Sequence, residues 1–253
     1  AASDVYKRQG QVVISAVAAA AHVIILVFSK DLGSAVIFFA GYLIMVFIAT
    51  KNYFYLFAGI LGGAGASIVA YHMFSHVRTR VIAFLHPWSN INDSGYQITQ
   101  SLFAIGTGGW FGLGIDQGDP TSIPYVEQDF IFSAVAEEMG VIFGICLILV
   151  CVSCFIVFMK IAMQLKEDFY RYIAVGISTI YIFQVFLTIG GGTRFIPLTG
   201  VTLPLVSYGG SSVLTTIIMF SIIQGLYCIQ SQEGKRNARK ERRRTADREA
   251  GEE

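Results

Sequence analysis

The chain has 253 residues, 54% of them apolar and only 14% charged, with a formal net charge of +1. A soluble domain carries about 25% charged residues, so the composition excludes an ordinary soluble enzyme and describes a polytopic membrane protein. No nucleic-acid partner is expected.

Residues 1–9 contain the run Asp4-Val-Tyr-Lys-Arg-Gln9, which reads as the in-frame translation of a sequencing adapter and is set aside from the fold. On that reading the natural N-terminal part is missing. The alternative is an ordinary basic juxtamembrane segment. Six apolar spans are then predicted, over 11–28, 33–50, 53–73, 130–159, 170–190 and 207–230. This makes an all-α membrane bundle, with three spans in 10–73, a long loop over 74–128, three more spans in 129–230 and a basic tail over 231–253.

The hinges Ser29-Lys30-Asp31 and Thr50-Lys51-Asn52 are short. The 74–128 loop is too ordered in composition to be a linker. Its middle, from Gly95 to Trp110, is apolar, too short to span and broken by glycines, which predicts a re-entrant or interfacial helix ending in a Gly-rich turn. Trp88 and Trp110 suit a membrane interface.

Residues 235–244 hold seven Lys/Arg against one Glu. With Lys160, Lys166 and Arg171 they mark the cytoplasmic side by the positive-inside bias. The C-terminal tail is therefore cytoplasmic and is expected to be disordered or frayed helix. The 74–128 loop then faces outward. Arg78, Arg80 and Arg194 lie on that outer side against the bias, which points either to an anionic ligand or to anchoring on lipid phosphates.

Asp129 opens the fourth span. Asp129 to Met159 is 31 residues, about 46 Å of helix. That length places Glu137 and Glu138 at the membrane boundary and Asp129 roughly 12 Å beyond it. Asp129 reads equally as a general base or as a helix N-cap. Glu137 and Glu138 fall about 80° and 180° around the helix from Asp129, so the three cannot share one cavity, and a structural role is preferred for both.

Gln97 and Gln100 share a helix face at i,i+3. They suit either sugar hydroxyls or polar backbone. The run Ser207-Tyr-Gly-Gly-Ser-Ser212 opens the last span. Its glycines favour close helix contact, while its N–H groups and Ser207 offer an anion site. Cys146, Cys151, Cys154 and Cys228 read as small buried hydrophobes. Neither they nor His22, His72, His76 and His86 show metal-ligand spacing, so no metal site is assigned.

Several of these segments occur together in one order. They are Asp31-Leu-Gly-Ser-Ala35, Arg80 with Phe84-Leu-His-Pro-Trp88, and Gly95-Tyr-Gln97 with Gln100-Ser101. Then come Ala104-Ile-Gly-Thr-Gly-Gly109, Gly112-Leu-Gly114, Asp129-Phe-Ile-Phe132 with Glu137-Glu138-Met-Gly140, and Gly200-Val-Thr-Leu-Pro204 leading to Ser207–Ser212. In this order the chain resembles the SEDS family of membrane proteins (FtsW, RodA and SpoVE) across residues 10–230.

The resemblance implies ten spans, of which this chain carries the last six, so the chain alone is expected to be inactive. It implies a peptidoglycan glycosyltransferase of the bacterial plasma membrane that polymerises lipid II for division, elongation or sporulation. Asp129 is implied as the base, with Arg78, Arg80, Gln97, Gln100 and Ser207 as substrate-binding candidates. Implied partners are a class B penicillin-binding protein transpeptidase and other division or elongation membrane proteins. A divalent cation is left open.

Two departures stand out. Glu127-Gln128 replaces a common His-Thr pair, and Arg194 stands where many members are small or apolar, so no role is carried onto it. The alternatives in other functional classes are a lipid II flippase and a membrane scaffold.

Overall fold

The computed structural model describes the backbone of residues 2–91 and 93–249 and the side chains of residues 12–91 and 93–232. The helices in chain order are α1 (Ala2–Phe28), α2 (Leu32–Thr50), α3 (Tyr53–Met73), α4 (Ser75–Leu85), α5 (Tyr96–Gly108), α6 (Ile131–Gln164), α7 (Asp168–Gly192) and α8 (Gly210–Glu249). No strand occurs among the described residues.

Five helices, α2, α3, α6, α7 and the Gly210–Gln232 part of α8, are long and apolar enough to cross a membrane. The first expected span, 11–28, falls within α1, whose described apolar part is Val12–Phe28.

Short hinges work because their residues cap on both sides. The Asp31 carboxylate accepts from the backbone N–H of Ser34 at 3.0 Å and starts α2. Lys51 closes α2 in the left-handed region, φ 53°. Asn52 then starts α3 by accepting from Phe54 N–H at 2.9 Å.

Helix α7 lies at the centre, packed against α2 on one side and α6 and α8 on another. An edge-on aromatic cluster of Phe158, Tyr181 and Phe220 joins α6, α7 and α8, with centroids 4.9–5.8 Å apart. Helix α3 buries no residue. In lipid an apolar surface of this kind carries no penalty.

Two sequence expectations need correction. The fourth span is not one continuous rod from residue 129. Helix α6 starts at Ile131 and is broken at Gly140, φ 84° and ψ 168°. The loop's Gly-rich turn fills the break. Leu113 N–H donates to the Glu137 carbonyl and Gly114 N–H to that of Glu138, both at 2.9 Å, while Val141 N–H donates to the Gly109 carbonyl at 2.9 Å. Irregular backbone in a membrane helix survives only where protein supplies such partners.

The tail is the second correction, because α8 continues as helix to Glu249. Residues 233–249 are rich in Arg, Lys, Glu and Ala, all strong helix formers. Their side chains and residues 250–253 lie outside the described residues, as does any arrangement of the basic cluster on lipid.

Candidate functional site

The 74–128 segment builds the site. Its second helix, α5, is the expected short apolar helix. It buries Ile98, Thr99, Ser101, Ala104 and Gly108 on one face. Ser101 Oγ lies 2.6 Å from Ser133 Oγ and donates to the Gly192 carbonyl at 2.7 Å, which ties α5, α6 and α7 together. A Cβ on Gly108 would meet the Ala136 carbonyl oxygen at 2.0 Å, so α5 and α6 touch backbone to backbone there.

Above this contact lies a cavity of about 400 Å³. Helix α4 lines it with Thr79, Arg80, Ala83 and Phe84. The turn before α5 contributes Asp93 and Ser94, the start of α5 Gln97 and Ile98, and Tyr125, Asp129 and Leu198 complete it. A volume of this size suits a small ligand or a sugar unit.

Asp129 is not the helix cap. Phe130 holds that position without a side-chain cap bond, and Asp129 sits in the turn before it. That turn is held firmly. Phe130 is completely buried, Tyr208 N–H donates to the Glu127 carbonyl at 2.7 Å, and the Ser207 hydroxyl donates to the Gln128 carbonyl. One Asp129 carboxylate oxygen, Oδ1, is buried and has no hydrogen-bond partner. Burial pushes the Asp129 carboxyl up, against a backbone hydrogen bond at the same residue and the positive charge of Arg80. The result is a half-buried carboxylate with an enhanced affinity for a proton and an oxygen free to take one.

Arg80 donates from Nη1 to the Leu198 carbonyl at 3.1 Å. Among the described residues this is its one hydrogen bond, so Nε and Nη2 remain available to an anion. Gln97 lines the same cavity and touches the Pro124 carbonyl at 3.5 Å.

The other sequence candidates go elsewhere. Arg78 donates to the His72 carbonyl at 3.3 Å and lies over the Tyr71 ring at 5.7 Å. Residues two apart on a helix point about 200° apart, so Arg78 and Arg80 cannot both face the cavity. Gln100 does not line it. Ser207 braces the turn before α6, because its hydroxyl also accepts from Leu203 N–H at 2.8 Å.

Glu137 and Glu138 accept from the backbone N–H groups of Asp119 and Asp116, both at 3.3 Å, and thereby hold the loop over the helix break. Sequence reasoning missed Thr79, Asp93, Ser94 and Tyr125. Their signals were sequence neighbours, Arg80 for Thr79, α5 for Asp93 and Ser94, and Asp129 for Tyr125, which carries a left-handed backbone, φ 59°, in the cavity wall.

No group of three or more His, Cys, Asp or Glu among the described residues could hold a metal ion. The cavity offers two carboxylates, Asp93 and Asp129.

The fold and site define a polytopic helical membrane protein with an acid–arginine cavity beside a broken helix. The FtsW/RodA/SpoVE family of cell cycle proteins matches residues 2–232, and the chain belongs to that family. It is 39% identical over 200 residues to the peptidoglycan glycosyltransferase RodA of Mycobacterium bovis, covering 79% of this chain and 42% of that protein. It is 39% identical over 210 residues to the probable peptidoglycan glycosyltransferase FtsW of Francisella salina, covering 79% of this chain and 51% of that protein. The chain thus spans about half the length of these curated relatives.

A solved structure concerning the coordination of polymerization and crosslinking by a peptidoglycan synthase complex contains a similar chain. The TM-score is 0.72 at 25% identity, over 86% of this chain and 61% of that one.

Proposed function

We propose that this cavity is the glycosyl-transfer site of a lipid II polymerase, on the extracytoplasmic face of the bacterial plasma membrane. Asp129 takes the proton from the acceptor sugar's 4-hydroxyl as that oxygen bonds to the donor's anomeric carbon. The bond from that carbon to the undecaprenyl pyrophosphate breaks, and the electron pair leaves on the phosphate oxygen. Arg80 neutralises the charge that develops there. Gln97 binds sugar hydroxyls.

The observation that carries this reading is the partnerless Asp129 Oδ1 in a cavity shared with Arg80. The names of the relatives support the reaction class. The likeness to a chain of a complex that coordinates polymerization and crosslinking supports a crosslinking partner, and the family resemblance makes that partner a class B penicillin-binding protein among other division or elongation proteins. Lys/Arg bias supports a cytoplasmic C-terminus.

The test separates bond formation from transport. Purified full-length protein is given lipid II in detergent, where no membrane needs crossing, and Asp129→Ala is run beside it. Glycan strands from the parent and none from the variant are expected. Lipid II translocation in vesicles without any polymer would replace this reading with a flippase.

A further inference from the structure

We propose that Arg194 is a positioning residue, which pins the C-terminal end of α4 and thereby holds Arg80 in the cavity beside Asp129. The claim rests on the proposed function only where activity is measured.

Helix α4 has little else to fix it. It is 11 residues long and buries none of them, whereas isolated helices shorter than roughly 12–15 residues are marginal. Among the described residues, α3 is the one helix in substantial contact with it. Its last carbonyls lack helical partners, as at any helix end. Arg194 supplies them. Nε donates to the Phe84 carbonyl at 3.0 Å and Nη2 to the Leu85 carbonyl at 3.4 Å. A cation at this end also complements the helix dipole.

The grip is placed where Arg80 needs it. Phe84 is one turn from Arg80 on the same face, and both line the cavity. Arg80 returns the contact by donating to the Leu198 carbonyl at 3.1 Å. Three guanidinium–carbonyl bonds, two from Arg194 and one from Arg80, therefore join α4 and the 194–198 segment in opposite directions. Arg194 holds a left-handed backbone, φ 56°, just after the α7 cap residue Thr193. Glycine adopts that conformation without strain, and a side chain there persists only where its surroundings fix it. The main core, built from α6, α7, α8 and the 203–206 turn, contains no α4 residue, so losing the grip should move α4 without unfolding the bundle.

The test uses the full-length protein carrying Arg194→Ala, Arg194→Lys, Arg80→Ala and the double variant Arg80→Ala/Arg194→Ala. Hydrogen exchange over residues 78–86 reads α4 directly and needs no activity. Arg194→Ala should speed exchange there about tenfold, the scale of one lost charge-assisted bond. Arg194→Lys, lacking the fork, should recover it only in part.

The second readout is the acid limb of the polymerisation pH profile. The titratable groups in the cavity with Asp129 are Arg80 from α4, Asp93 before α5, and Tyr125. Arg80's charge partly opposes the upward push of burial on the Asp129 carboxyl, so its withdrawal moves the limb to higher pH. Arg194→Ala should move the limb as Arg80→Ala does, and the double variant no further.

Unchanged exchange over 78–86 in Arg194→Ala, or limb shifts that add in the double variant, would overturn the proposal. If Asp129→Asn polymerises normally, the catalytic reading fails, and the exchange result alone decides on Arg194.

Discussion

Gly112 and Gly140 interlock through their backbones. A Cβ on Gly112 would stand 2.6 Å from the Gly140 nitrogen, and a Cβ on Gly140 would stand 2.5 Å from the Gly112 nitrogen. Both residues also have positive φ, 78° and 84°. Neither position has room or backbone freedom for a side chain. Either Gly→Ala change should therefore cost roughly 3 kcal/mol and lower the melting temperature of the purified protein. Gly62, in α3, is the control. A Cβ there meets nothing within 4 Å, so Gly62→Ala should be neutral or should stabilise by up to about 1 kcal/mol.

Asp129 should be a stability liability retained for chemistry. Its folded pKa is raised by burial, with smaller opposing contributions from a backbone hydrogen bond and Arg80. Between the ordinary carboxylate value and the raised one, the folded state binds more protons than the unfolded state. Stability therefore falls as pH rises through that window. Asp129→Asn removes the buried charge, so at neutral pH it should melt no lower than the parent, while losing polymerisation. A clear drop in melting temperature at neutral pH would mean that the ionised carboxylate holds the fold together.

The two arginines should separate. Arg80→Gln is expected to cut lipid II polymerisation by about a hundredfold, the usual scale for one lost charge-stabilising donor. Arg78→Gln should change it only a few-fold, because Arg78 is engaged with His72 and Tyr71 away from the cavity. Steady-state kinetics on lipid II decide this, and equal losses would contradict the geometry.

Ser207 should matter for stability. Its hydroxyl bridges Leu203 N–H and the Gln128 carbonyl, and Ser207→Ala leaves both without that partner at about 1–3 kcal/mol. Denaturation of the variant should show this loss. An unchanged midpoint would return Ser207 to the list of ligand contacts.

Much of the helical frame was legible because span length and hydropathy are local properties. The α3 boundaries, 53–73, were read directly, and the short helix before Trp110 was expected. The break at Gly140 was not legible. It depends on Gly109, Trp110, Leu113 and Gly114 arriving from far earlier in the chain to complete the hydrogen bonds, and nothing in the apolar run after Met139 announces that. Helix α4 was missed for a related reason. Residues 75–85 bury no side chain, so no strong apolar face marks them, and without the helix Arg78 and Arg80 looked like a pair. The motif residues Asp129, Arg80 and Gln97 were visible as chemistry, whereas Asp93 and Tyr125 enter the cavity only through folding.

The central claim is that Asp129 does chemistry in a cavity that Arg80 and its neighbours assemble. Lipid II binding and lipid II polymerisation should be measured side by side on full-length Asp129→Asn. Binding within a few-fold of the parent, since the carboxylate acts mainly in the transition state, together with no detectable glycan is the predicted result. Polymer formed at a near-parental rate would contradict the account.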